Sequence, residues 1–203
     1  MIEDCTALIL AGGESRRMGQ DKASLILNGM TLLEHVTLTM QSVFPKVIVS
    51  VRRLREDIES QQVCDEAEAS GPLAGLIAGM TQVETPWIFA VACDMPFVKA
   101  GMIEQLAKYR FDSASHNFLK AVVPMIDGYQ QPLAAFYATN TLAVMRKSLA
   151  TGDNSIRGAL KNLTVRYVSE AELSESDPQL GSFFDLDTPE DMAQIRCTKE
   201  TKK

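Results

Sequence analysis

Cys5-Thr6-Ala7-Leu8-Ile9-Leu10-Ala11-Gly12-Gly13-Glu14-Ser15-Arg16-Arg17-Met18-Gly19-Gln20-Asp21-Lys22 is the stretch on which the reading of this chain turns. Cys5 to Leu10 is a short aliphatic and β-branched run that stops at a glycine pair, the pattern of a buried strand. In open α/β sheets, ligands bind beyond the carboxyl ends of the strands. Ala11 to Lys22 occupies that place. Gly12, Gly13 and Gly19 let backbone N–H groups approach an anion without intervening side chains. Arg16, Arg17 and Lys22 add charge, the arginines as planar forks and the lysine as a point charge. Glycines and cations together describe a triphosphate cradle. A solvated turn with incidental arginines is the plainer alternative, and three cations in one glycine-rich loop weigh against it. Neither G-x-x-x-x-G-K-[ST] nor G-x-G-x-x-G is present, because Ala23 follows Lys22 and Gly12 adjoins Gly13.

Outward from this loop, strands alternate with helical patterns. Leu25 to Leu27 meets the turn pair Asn28-Gly29. Thr31 to Val43 has helical spacing through Leu32, Val36 and Met40, and Pro45 ends it. Val47 to Val51 reads as a strand, Arg53 to Ser60 as a short polar helix and Val63 to Asp65 as a strand end. Gly71-Pro72 opens a helix to about Val83. Trp87 to Cys93 is apolar on both faces, like a central strand of a parallel sheet. A helix follows over Ala100 to Tyr109. Phe118 to Pro124 and Gln131 to Tyr137 read as strands around the turn pair Asp127-Gly128. Helices over Thr139 to Ala150 and Ser155 to Leu160, a strand over Leu163 to Val168 and a last helix from Thr188-Pro189 complete the order. This alternation predicts an α/β, Rossmann-like three-layer fold, with a mostly parallel central sheet and a late antiparallel element. With no repeat and no linker, residues 1–203 form one expected domain, 198–203 being a frayed tail.

Asp94 follows the most apolar strand, so its carboxylate is expected in the same crevice as the loop. Nucleotidyl transfer uses Mg²⁺ to neutralise phosphate charge, held by one or two carboxylates plus phosphate oxygens and water. Asp94 is the first candidate ligand. Asp185 and Asp187 flank Leu186 and share a face if that stretch is extended, which makes Asp187 a weaker second candidate. The plainer alternatives are a turn-initiating Asp94 and a helix-capping Asp187.

Composition narrows the function classes. The chain has 203 residues, 46% of them hydrophobic, and a formal net charge of -6. Such a chain supports a packed core, and its acidity argues against general nucleic-acid binding. No apolar run approaches the roughly 20 residues of a membrane span. Met1-Ile2-Glu3-Asp4 lacks the basic start of a secretory leader. Cys5, Cys64, Cys93 and Cys197 lie far apart, as expected of reduced thiols in the cytoplasm, and Cys5 and Cys93 read as small core residues. His35 and His116 are isolated.

The motifs, taken in order, are similar to those of a known family. Leu10 to Lys22 matches the L-A-G-G-x-S-x-R-M-G-x-D-K pattern of the molybdenum cofactor guanylyltransferases, called MobA. Gly71-Pro72-Leu73-Ala74-Gly75, Cys93-Asp94-Met95-Pro96-Phe97, Gln131-Pro132-Leu133 and Asp187-Thr188-Pro189-Glu190-Asp191 follow in register, so the resemblance spans nearly the whole chain. It implies a fold like that of the nucleotide-diphospho-sugar transferases. It also implies transfer of GMP from GTP to molybdopterin carrying molybdenum, release of pyrophosphate and a need for Mg²⁺. Leu10, Ala11, Gly12, Gly13 and Lys22 would hold GTP, with further nucleotide contacts at Asp65 and Asp94. A family asparagine falls on Ser50, a departure at that contact, and the C-terminal N-T-P-E pattern begins here with Asp187. A CTP-using branch carries L-A-A-G where this chain has Leu10-Ala11-Gly12-Gly13, so the Gly12-Gly13 pair favours guanine.

The expected catalytic residues are Lys22, Arg17 and Asp94. The expected partners are GTP, molybdopterin, and molybdoenzyme apoproteins or their chaperones, with no nucleic acid and no membrane. The rival readings are a molybdopterin cytidylyltransferase or sugar-phosphate nucleotidyltransferase, and a non-catalytic nucleotide-binding regulatory module. A hydride-transfer enzyme is disfavoured by the missing glycine fingerprint.

Overall fold

Strand β1 (Cys5–Leu10) has no exposed surface from Cys5 to Ile9 and lies between two parallel neighbours, β4 (Val47–Val51) and β6 (Trp87–Ala92). These strands belong to a computed structural model that describes residues 1–12, 21–64, 71–111, 119–186 and 191. The strand β5 (Gln61–Cys64) lies outside β4, again parallel. On the other flank, β9 (Ala134–Ala138) runs antiparallel between β6 and β7 (Ala121–Ile126), and β10 (Val165–Ser169) closes the edge parallel to β7. The sheet order β10-β7-β9-β6-β1-β4-β5 is therefore mostly parallel with one late antiparallel insertion, as expected. A two-strand ribbon, β2 (Ile26–Leu27) with β3 (Met30–Thr31), stands apart. Its turn residues Asn28 and Gly29 both take positive φ, the signature of a tight hairpin.

Helices cover both faces. α1 (Leu32–Val43) and α3 (Ala100–Lys108) bury Val36, Met40, Met102 and Leu106 against Ile9, Val49, Phe89 and Phe136. On the opposite face α2 (Pro72–Met80), α4 (Leu142–Ala150) and α5 (Ile156–Leu160) bury Leu73, Leu76, Met145 and Leu160 against Leu8, Ile48, Ile88 and Tyr137. Local chemistry starts and stops these helices. Thr31 and Glu34 form a reciprocal capping box at the start of α1, and Phe44, before Pro45, ends it. Gly71 precedes α2 at φ 101°, a conformation that favours glycine, and Pro72 takes the first helical position. A short helix α6 (Glu170–Leu173), not anticipated from periodicity, is opened by a second capping box at Ser169 and Glu172. No helix among the described residues is long and apolar enough to cross a membrane.

Three expectations need correction. Residues 53–60 form no helix, because the side chain of Gln62 takes over their backbone bonding. It accepts from Arg55 N at 2.9 Å and donates to the carbonyls of Arg55 and Ile58 at 2.7 and 3.1 Å. Helix α2 stops at Met80 rather than Val83, where Gln82 N bonds Gly79 O and the chain turns back toward β6. The turn at Asp127-Gly128 joins β7 to a two-residue strand β8 (Tyr129–Gln130), not directly to β9. Gln131, Pro132 and Leu133 are extruded as a bulge before pairing with β7 resumes. The expected final helix from Thr188 lies outside the described residues apart from Asp191, as does the 198–203 tail.

The last described segment is anchored by a buried charge. Asp177 has no exposed surface and accepts from Lys99 Nζ at 2.5 Å and from Ser182 N at 2.8 Å. Burial alone would raise its pKa, but the Lys99 ammonium and the Ser182 donors outweigh it and hold the carboxyl below the usual range. A depressed folded pKa means that the stabilisation is present above the unfolded value of about 3.9 and is lost as pH falls through the folded value. Asp177→Asn should therefore melt lower than the wild type at pH 7, by roughly 1–2 kcal/mol because Lys99 is half-exposed. The gap should narrow toward pH 3; a gap that is independent of pH would refute the assignment.

Gly79 gives a packing prediction. A Cβ there would lie 2.3–2.9 Å from the Leu8 side chain, which is fully buried under α2. Gly79→Ala should destabilise by about 1–3 kcal/mol despite its better helix propensity. In denaturant unfolding, adding Gly79→Ala to Leu8→Ala should recover part of the stability lost on the Leu8 truncation.

Candidate active site

The chain steps from β1 to β4 to β5 on one side, then returns to place β6 on the other side of β1. At that reversal a crevice lies outside the carboxyl ends of both strands. A cavity of about 560 Å³ occupies it. Its floor is Leu10, Ala11 and Gly12 from the end of β1, Ser50 from β4, and Ala92, Cys93 and Asp94 from β6. Backbone bonds hold these strand ends together: Ala11 N to Ser50 O at 2.8 Å and Cys93 N to Leu10 O at 3.1 Å.

Lys22 enters on a 3-10 turn over Lys22–Ser24, which Asp21 starts by accepting Ala23 N at 3.1 Å. Its Nζ donates to Asp94 Oδ2 at 2.7 Å, with both side chains less than one-fifth exposed. Two residues 72 positions apart, each expected at the site, are thus in direct contact. Leu10, Ala11, Gly12, Lys22, Ser50 and Asp94 all line the one cavity. Gly13, Arg17, Asp65 and Asp187 lie outside the described residues. Ser50 is nearly fully buried beneath α2, and a Cβ on Gly75 would come within 2.8 Å of its hydroxyl. The glycine in Gly71-Pro72-Leu73-Ala74-Gly75 thus lets α2 approach β4 and brings its N-terminal turn to the cavity wall.

The opposite wall is the Gln131-Pro132-Leu133 bulge. Gln131 N bonds Pro124 O at 2.9 Å, and the buried Tyr137 hydroxyl donates to Pro132 O at 2.7 Å. Asp185 also lines the cavity, held near Asp94 because Leu186 N donates to Asp94 O at 2.9 Å and Leu186 is buried with Leu27 and Leu32. Two cations were not anticipated. Arg52 lies two positions beyond Ser50 at the end of β4, and strand periodicity could have placed it on the same edge. Arg157, on α5, donates to Gln130 O at 3.1 Å, and nothing in the linear sequence signals its approach.

The lining groups limit the chemistry. Burial raises the Cys93 thiol far above its ordinary pKa, so it stays protonated and is no nucleophile. Cys5, likewise buried and raised, is a core residue, as expected. No histidine is among the described lining residues. His35 is engaged elsewhere, with Nε2 at 2.7 Å from Leu27 O. Among the described residues no three histidine, cysteine or acidic side chains cluster as a self-sufficient metal site. What remains is a set of cations and carboxylates around backbone at strand ends, suited to a phosphorylated ligand.

Comparison with known proteins agrees with this geometry. The family model described as a MobA-like NTP transferase domain matches residues 7–168. A probable molybdenum cofactor guanylyltransferase of Natranaerobius thermophilus is 32% identical, covering 97% of both chains. The molybdenum cofactor guanylyltransferase of Desulfosudis oleivorans is also 32% identical, over 97% of this chain and 96% of its own. Among solved structures, molybdopterin-guanine dinucleotide biosynthesis protein A from Archaeoglobus fulgidus superposes with a TM-score of 0.81 at 28% identity, covering 96% of this chain and 99% of its own. The 2-C-methyl-D-erythritol 4-phosphate cytidylyltransferase of Thermus thermophilus shares the fold at 17% identity and a TM-score of 0.66, over 95% and 97% of the two chains. With its motifs in order and its strand ends converging on one cavity, this chain belongs to the MobA-like NTP transferase family.

Proposed function

We infer that the protein transfers GMP from GTP to molybdopterin carrying molybdenum, forming the molybdopterin guanine dinucleotide and releasing pyrophosphate. The observation that carries the reading is the Lys22–Asp94 contact at the strand-order reversal, inside a cavity built from the family's motif residues. The terminal phosphate of the pterin attacks the α-phosphorus of GTP in line. A new P–O bond forms as the bond to the bridging oxygen breaks, and pyrophosphate leaves with that oxygen. A phosphate monoester has its second pKa near ~6, so the nucleophile is largely ionised at neutral pH and needs no general base. The absence of histidine from the described lining residues is compatible with this.

Catalysis is then positioning and charge stabilisation. Lys22 holds the triphosphate and the charge developing on the leaving group, and Arg17 assists. Leu10, Ala11, Gly12 and Gly13 present backbone to the nucleotide, with Ser50 and Asp65 as further contacts. Asp94 would hold Mg²⁺, with Asp187 as a weaker second ligand. One carboxylate beside a phosphate site fits an ion that takes its other ligands from substrate oxygens and water, and that ion would neutralise phosphate charge. The pterin is assigned to the side of Gln131, Pro132 and Asp187. The product passes to molybdoenzyme apoproteins or their chaperones in the cytoplasm.

Lys22→Ala and Asp94→Asn should each lower GTP-dependent transfer by roughly 10²–10³-fold. Both side chains are less than one-fifth exposed, so the melting temperature of each variant is measured beside its turnover. Near-wild-type turnover in either variant would remove its role. Pyrophosphate release measured with each nucleoside triphosphate should select GTP, and a preference for CTP would overturn the base assignment. Chelation with EDTA should abolish transfer, and added Mg²⁺ should restore it.

A further inference from the structure

Asp21 and Arg55 play no part in the mechanism above, yet among the described residues they form a polar cluster beside Lys22. Arg55 Nη1 contacts Asp21 Oδ2, and its Nη2 donates to Ser24 Oγ at 2.8 Å. The other side of the guanidinium is held by Asp57, through Nε at 3.0 Å and Nη2 at 2.6 Å, which keeps the Asp57 carboxyl below its usual range. Asp21 also accepts Ala23 N and Ser24 Oγ, at 3.1 and 3.2 Å. One guanidinium therefore grips both ends of the turn that carries Lys22, in the fork geometry that arginine supplies and lysine does not. Arg55 is itself fixed to the sheet through Gln62 of β5, which bonds its backbone N–H and carbonyl at 2.9 and 2.7 Å. A continuous path runs from β5 through Gln62, Arg55 and Asp21 to Lys22, and ends on Asp94 at the end of β6.

Buried Ala23 sets where the turn sits, and the Asp21–Arg55 grip sets how it is oriented. Lys22 has four rotatable side-chain bonds, so the direction of its backbone decides which acceptors its ammonium can reach. We propose that Arg55 is a positioning residue for nucleotidyl transfer, holding the Asp21–Ser24 turn so that Lys22 is directed into the cavity toward Asp94 and the triphosphate. The proposal rests on the assignment of Lys22 to the triphosphate.

The test is the GTP dissociation constant of the full chain, by isothermal titration calorimetry with Mg²⁺, in Arg55→Ala, Lys22→Ala and the double variant. Arg55→Ala should weaken GTP roughly 10- to 100-fold, since small misplacements of a binding group are costly. The double variant should bind like Lys22→Ala alone, because effects routed through one group do not add. Millimolar guanidinium should recover part of the affinity of Arg55→Ala and none of that of Lys22→Ala. Asp21→Asn keeps the Ala23 bond and should weaken GTP in the same direction, again without adding to Arg55→Ala. This variant carries the test if Arg55→Ala loses its cooperative melt. Wild-type affinity in Arg55→Ala, or full additivity with Lys22→Ala, would overturn the positioning role while leaving Lys22 in place. Wild-type affinity in Lys22→Ala would instead remove the Lys22 assignment, and the positioning role with it.

Discussion

The site depends on the position of β1, the strand from which the chain first steps one way and later the other. Because β4 and β6 lie on opposite sides of β1, the carboxyl ends of all three strands open on the same crevice. A parallel sheet buried on both faces also requires helices above and below, and these draw the chain away from the strand ends. The crevice is therefore a topological consequence, and what the sequence adds is which groups stand at its rim. Gly12 and Asp94 follow the carboxyl ends of β1 and β6 by two residues and Ser50 is the last but one of β4, so the register that buries Ile9, Val49 and Val91 also fixes the cavity floor.

That dependence explains which features were legible in the sequence. Leu10 to Gly12 and Asp94 follow hydrophobic runs that mark strand ends, and they line one cavity with Lys22, which the glycine-rich loop motif singles out. Gln131-Pro132-Leu133 is recognisable as a motif, yet the run from Gln131 to Tyr137 reads as strand. The bulge that turns it toward the cavity is a property of pairing with β7, and no local pattern encodes a register shift. Arg157 comes from a helix far along the chain and reaches the site only through the packing of α5 beside the bulge. Residues 53–60 read as a short polar helix, while the bonds that settle their course come from Gln62, outside the segment. Asp185 was paired with Asp187 by alternation. Burial of Leu186 turns Asp185 outward into the cavity, and Asp187 falls outside the described residues.

Charge at the site differs from charge on the chain. The protein is acidic overall, yet the described lining balances Lys22, Arg52 and Arg157 against Asp21, Asp94 and Asp185. Lys22 and Asp94 already contact each other in a partly desolvated setting, where interactions between charges are stronger than in bulk water. A polyanionic triphosphate that draws Lys22 toward itself gains only the difference between that contact and the one it replaces, and it leaves Asp94 facing its own phosphates. Without a counter-charge, the carboxylate and the phosphates repel one another at short range. On the proposed reading, a divalent cation held by Asp94 would offset this repulsion and leave Lys22 to the phosphates. If Asp94 holds the metal as proposed, the Lys22–Asp94 pair would couple the two ligands, so that nucleotide and metal bind more tightly together than either does alone.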